Sequence, residues 1–165
     1  MRRDSSGANC YRLPTSVLVY CFRRKAGEVE YLMLRRTEKY GGFWQGVTGA
    51  LERDESLQAG AARELREETG FLPDIIQPID YSYSFPLEDE WKWAYHPEVK
   101  EIHEHVFLAE VADGTQPVLS FEHDAFKWSG FDRAWELLKW PDNRHALEVC
   151  HRLLCGSQAK AGYGQ

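Results

Sequence analysis

A chain of 165 residues, 43% hydrophobic and 28% charged, is long enough for one domain with a real core and excludes a disordered or fibrous protein. The formal net charge of −6 excludes broad nucleic-acid binding through a basic surface, yet it leaves room for a nucleotide-like small ligand. The four cysteines show no CxxC pair or metal-finger spacing, no apolar run nears the ~20 residues of a membrane span, and MRRDSSGANCYRLP has no signal-like core, so the expectation is a cytoplasmic protein with reduced thiols and no membrane partner.

TSVLVYCF (Thr15–Phe22) is a β-branched and aromatic run that predicts a buried strand, and EYLMLRR (Glu30–Arg36) predicts its hairpin partner after a turn at Gly27. The glycine-rich GGFWQGVTGA reads as a loop leading into a helix from about Ser56 to Gly70. A strand follows from about Ile79 to Phe85, then an aromatic-studded polar loop, LEDEWKWAYHPEV, and a strand over Glu104–Val111. AFKWSGF predicts a short strand, DRAWELLKW and DNRHALEVCHRLL predict two helices, and the final GSQAKAGYGQ is expected to fray. Helices placed between and after strands imply an α/β architecture, a mixed sheet with helices on both faces.

The central helix breaks its own pattern. Leu57, Ala61, Glu64 and Glu68 follow the spacing of a single helical face, so an apolar stripe turns acidic halfway along. Glu64, Glu67 and Glu68 lie three and four residues apart, where like charges repel by roughly 0.2–0.5 kcal/mol per pair even when exposed. They also occupy the C-terminal half, where the helix dipole disfavours acids. An acidic helix face is commonly a solvated surface with local ion partners, but Arg63 and Arg66 are expected on the side opposite this stripe. A hard divalent cation turns such repulsion into shared coordination, and Mg²⁺ takes one or two carboxylates plus water and phosphate oxygens.

The segment resembles the Nudix box at every fixed position. Gly49 is followed after five residues by Glu55, and seven residues later by RELREETGF, carrying Arg63, Glu64, Leu65, Glu67, Glu68, Gly70 and Phe71. Chance agreement at this many positions is on the order of 10⁻⁷ or less per starting point. The resemblance to Nudix hydrolases implies an α/β/α sandwich over residues 13–155, after an N-terminal extension (1–12) and before a flexible tail (156–165). It implies Mg²⁺- or Mn²⁺-assisted cleavage of a phosphoanhydride. Glu64 and Glu68 would then be metal ligands, with Glu67 joining them or standing behind. Arg63 and Glu55 would pair to fix the loop, and the Gly49 region would turn a carbonyl toward the metal.

YRLPTSVLV, LMLRR…FWQGVTGALE and FEHDAFKW followed by PDNRHALE are similar to bacterial dihydroneopterin triphosphate diphosphatases of folate synthesis. That similarity implies a further acidic ligand or base at Glu122, and substrate contacts from Arg12, Arg36 and Thr48. It favours dihydroneopterin triphosphate, cleaved to the monophosphate and pyrophosphate. Diadenosine tetraphosphate and (deoxy)nucleoside triphosphates are the rival substrates, and a non-catalytic nucleotide sensor is the rival class. The small-molecule substrate is the expected partner of a monomer or homodimer. Trp91, Trp93 and Tyr95 depart from that subfamily; they either pack on their own domain or offer a ring for stacking. His103, His105 and His123 are expected to be structural or surface residues.

Overall fold

The computed structural model describes residues 2–3 and 9–161, with side chains over 10–156. Strands β1 (Arg2–Arg3) and β2 (Asn9–Cys10) pair with each other, apart from the main sheet. The main sheet is built around β3 (Thr15–Lys25), which forms a hairpin with β4 (Glu28–Arg36) through a turn at Ala26 and Gly27, both at positive φ.

GGFWQGVTGA is not simply a loop. It contains β5 (Trp44–Gln45), paired with β4, and β6 (Val47–Ala50), antiparallel to the first half of β3. Its glycines mask the strand signal, because the pairing is fixed by neighbouring strands and not by local propensity.

Helix α1 (Leu57–Thr69) begins where Ser56 accepts a bond from the Ala59 amide at 3.1 Å and ends at Gly70, whose φ of 76° supplies the left-handed stop. Strand β7 (Ile76–Pro86) is longer than expected and absorbs Pro78 at an irregularity in its antiparallel pairing with β8 (Glu101–Glu110). Strand β8 runs parallel to β3, and β9 (His123–Ser129) adds antiparallel to β4. The β7–β8 connection holds a short 3₁₀ turn at Asp89–Ala94. Helices α2 (Phe131–Leu137) and α3 (Pro141–Ala161) close the chain, α3 continuing through 156–161, the stretch expected as a flexible tail; residues 162–165 lie outside the described part.

The strand period of two sorts the core into two layers. Val17, Val19 and Cys21 of β3 face α1, packing with Ala61, Leu65, Phe71 and Phe107. Leu18, Tyr20 and Phe22 face α2 and α3, packing with Ala134, Leu138, Leu147 and Leu154. Both faces of the sheet are therefore covered, as the expected sandwich requires.

Candidate active site

Helix α1 lies against β6 so closely that one position admits no side chain. A Cβ at Gly49 would stand 2.0 Å from the Glu64 carboxyl carbon, so the absence of a side chain lets the carboxylate rest on the strand backbone. Glu68 follows one turn later and is buried, with one oxygen, Oε2, lacking a hydrogen-bond partner. The Thr48 amide donates to this carboxylate. Leu57 and Ala61 pack into the core beneath it. The acidic continuation of an apolar stripe is thus a real feature of one helix face.

Burial pushes Glu64 up to about 7, even against the nearby Arg63, with Glu67 and Glu122 adding to the rise. Glu68 is driven well above the ordinary carboxylate range by burial, then by Glu64 and Glu122, with Arg36 pulling the other way. Glu122, half-buried just before β9, is therefore within electrostatic reach of both carboxylates although it lies 54 positions after Glu68 in the chain. Arg36 comes with it, since Arg36 and His123 are cross-strand neighbours. The Arg36 guanidinium lies over Tyr40 at 5.4 Å and Phe43 at 5.7 Å, and its buried Nε has no partner. His123 is buried with neither ring nitrogen bonded; burial, then Arg36, lowers it to about 4.

Arg63 corrects the expectation that it points away. Its Nε donates to Glu55 Oε1 at 2.8 Å and its Nη2 to Glu55 Oε2 at 3.0 Å, while Nη2 also reaches the Ala50 carbonyl at 3.0 Å. Nη1 meets Glu64 at 2.8 Å and Glu67 at 3.3 Å. A long side chain leaving the flank of the helix can wrap over the stripe, which positions on a helical wheel do not reveal. Glu67 remains exposed at the edge of the group.

Arg12 and Thr48 sit on the other side of β6. The Thr48 hydroxyl donates to Glu104 at 3.2 Å, and Ser16 and Tyr83 also donate to this buried carboxylate. Asn143 at the start of α3 donates to the Tyr83 hydroxyl at 2.8 Å. Arg12 bonds Tyr95 and forms a backbone bridge with it. Of the three alternating aromatics, Tyr95 is buried, Trp91 packs against the small cluster of Leu87, Ala94 and Ile102, and Trp93 stays exposed. His103 bonds Ser82 and Ser84. His105 stands on the Glu64 face, in register with Val17 and through it with Gly49.

Comparison with known proteins decides the family. The NUDIX domain model matches residues 12–150. The chain belongs to the Nudix family. Dihydroneopterin triphosphate diphosphatase of Haemophilus influenzae is 35% identical over 144 residues, 84% of this chain and 87% of that protein. An octanoyltransferase of Myxococcus xanthus is also 35% identical, over 81% of this chain, but the chain spans only 35% of that protein's length. Mouse asymmetrical bis(5′-nucleosyl)-tetraphosphatase is 28% identical over 79% of this chain and 84% of its own. Among solved structures, the E. coli dihydroneopterin triphosphate pyrophosphohydrolase superposes with a TM-score of 0.71 at 29% identity, covering 84% of this chain and 94% of that one.

Nudix hydrolases generally use divalent metals, and the donor set here suits one: clustered carboxylates, one of them buried with a spare oxygen. It is not a finished cage, since among the described residues no three His, Cys, Asp or Glu groups stand in metal-holding geometry. Mg²⁺ does not require one, because it keeps waters and takes phosphate oxygens alongside one or two carboxylates. The residue that sequence reasoning missed is Glu104. Its signal was present: in β8 the buried alternation Ile102, Glu104, Val106, Leu108 places an acid on an apolar face, the period-two counterpart of Glu68 in the helix.

Proposed function

We propose that this Nudix chain is a Mg²⁺-dependent pyrophosphohydrolase whose preferred substrate is dihydroneopterin triphosphate, cleaved by water to dihydroneopterin monophosphate and pyrophosphate. The observation that carries the reading is the buried Glu68 with its unpartnered oxygen, beside Glu64 and Glu122 and opposite Arg36. Carboxylates so placed are costly to ionise unless a cation shares them.

Glu64, Glu68 and Glu122 would hold the metal, with Glu67 beside them. A bound Mg²⁺ (Mn²⁺ being the other candidate) neutralises phosphate charge and lowers the pKa of an attacking water. Arg63 holds the Glu64 carboxylate and ties the loop at Glu55 and Ala50 to the helix, so the ligand set is oriented before substrate arrives. Arg36, with a free Nε, faces the cluster as a donor for a phosphate oxygen. Glu122, which has no ion pair among the described residues, or a glutamate of the helix would take the water's proton.

The pterin substrate is favoured by two relatives named for it, at 35% identity for one and 29% for the solved structure. The tetraphosphatase relative at 28% keeps dinucleoside polyphosphates as the second reading. The test is a substrate panel with Mg²⁺, following phosphate and pyrophosphate release over dihydroneopterin triphosphate, diadenosine tetraphosphate and nucleoside triphosphates. The expected result is the highest kcat/KM for the pterin, with pyrophosphate as product. A better nucleotide overturns the substrate; no turnover with any of them overturns the enzyme reading.

A further inference from the structure

Residues 87–100 join β7 to β8 at the same end of the sheet as the Nudix carboxylates. Gly49 pairs with Val17, Val17 pairs with His105, and β8 starts four residues earlier, at Glu101. Strand geometry puts the start of β8 roughly 16 Å from Gly49 within the plane of the sheet. Leu87 and Val99 pack with Ile102 on the Glu104 face, so a substrate that reaches both places crosses the end of the sheet. The connection is anchored and not loose: the Arg12 amide donates to the Ala94 carbonyl at 2.8 Å, and the Leu87 amide donates to the Lys100 carbonyl at 3.0 Å.

Beside these anchors lies an open cleft of about 380 Å³, within the size range of small-ligand sites. Lys92, Trp93, His96 and Lys100 surround a floor that includes Leu87 and Val99. Trp91 and Tyr95 turn inward, but Trp93 is 59% exposed. Among the described residues its indole stacks on no other ring and Lys100 forms no ion pair. Lys92 is held by Asp89, and the Glu98 amide donates to His96 Nδ1 at 3.2 Å. The cleft thus offers one free aromatic face and one free cationic donor over an apolar floor. A planar ring with carbonyl and ring-nitrogen acceptors matches both: the ring stacks on indole, and lysine donates to the acceptors as it does to guanine O6 and N7.

We propose that this cleft is the subsite for the fused amino-oxo heterocycle of the substrate, the ring chemistry common to pterins and guanine, with Trp93 as its stacking face and Lys100 as its donor. The assignment rests on the function proposed above, which places the phosphates at the carboxylates. Neither residue belongs to the catalytic group, so both act on binding of the ring.

The test separates ring binding from hydrolysis. Wild type, Trp93→Ala and Lys100→Ala are titrated calorimetrically with neopterin and with guanosine, which carry no phosphate, in EDTA. Both probes are expected to bind the wild type weakly, and loss of one stacking face weakens binding by about five- to 150-fold. On whichever triphosphate the panel identifies, Trp93→Ala is expected to raise KM about tenfold or more with kcat little changed. The subsite is overturned if the wild type binds neither ring at millimolar concentrations, or if both variants bind and turn over as the wild type does. Ring binding lost in the variants, in a chain that hydrolyses nothing, supports the subsite while the hydrolase reading fails. Both side chains are exposed, so melting temperatures near the wild-type value are expected, and Trp93→Phe is expected to retain most of the binding.

Discussion

Glu68 and Glu104 are held from opposite sides of one strand residue: the Thr48 amide donates to Glu68 from the α1 side, and its hydroxyl donates to Glu104 on the other. A buried acid of the α2–α3 layer is thereby joined to the candidate metal face through a single residue. Thr48→Val deletes the hydroxyl donor and keeps the amide. It is expected to cost about 1–2 kcal/mol of stability in urea unfolding, because Glu104 loses one of its donors. Turnover is expected to change by less than about tenfold, since the Glu68 bond is a main-chain one. A raised KM at unchanged stability would instead mean that the hydroxyl meets substrate, the role its resemblance implied.

Gly49 has a backbone that any residue could adopt, since its φ is not positive, so the penalty of a side chain there is steric. An alanine methyl would overlap the Glu64 carboxyl group and drive it off the strand. Displacement of a reacting group by about 1 Å can cost on the order of 10²-fold in rate. Gly49→Ala is therefore expected to lower kcat with Mg²⁺ by roughly that factor while circular dichroism shows an intact fold. Activity within about twofold of wild type would show that Glu64 can work from another rotamer.

The legible parts of the molecule were those written in local pattern. Ser56 and Gly70 bound α1 as caps, and the stripe from Leu57 to Glu68 announced a face with two jobs. What stayed hidden depends on contacts distant in sequence. Strand β6 is a strand because β3 pairs with it, not because VTGA prefers extension. Arg63 reaches over its own helix to Glu55 and Glu64, a matter of side-chain length that periodicity ignores. Glu104 was visible as an acid in an apolar alternation, but its donors Ser16 and Tyr83 come from two other strands. Trp91, Trp93 and Tyr95 alternate as a strand would, yet a 3₁₀ turn sends only Trp93 outward.

Arg63 uses all three guanidinium nitrogens on Glu55, Ala50 and Glu64. Lysine carries the same charge without the planar fork, so it cannot serve all these acceptors together. Arg63→Lys is expected to lower stability by about 1–3 kcal/mol in urea and to reduce turnover more than it changes KM. Glu55→Gln keeps the shape and should lose less. An Arg63→Lys protein with wild-type stability and rate would show that the fork is dispensable.

Glu64 and Glu68 set the pH dependence of the metal-free protein. Burial raises both above the unfolded value of about 4.3, Glu64 to about 7 and Glu68 well above its ordinary range. A carboxyl group whose folded pKa is raised binds its proton more tightly in the native state. Its contribution to stability is complete below the unfolded pKa and drains away as pH climbs through the folded one. In EDTA the wild type should therefore melt at a higher temperature near pH 5 than near pH 8, the loss from Glu64 being nearly complete a unit above 7. Glu68→Gln removes one of these groups and should flatten the slope, leaving the variant more stable than wild type at pH 8. If Mg²⁺ takes the ionised carboxylates of the native state as proposed, it should raise the wild-type melting temperature at pH 8 and that of Glu68→Gln less. The same variant should lose turnover by orders of magnitude, giving a protein that is more stable and less active. If the wild-type melting temperature in EDTA stayed level across this range and Mg²⁺ protected both proteins equally, Glu68 would be neither strained by burial nor a ligand.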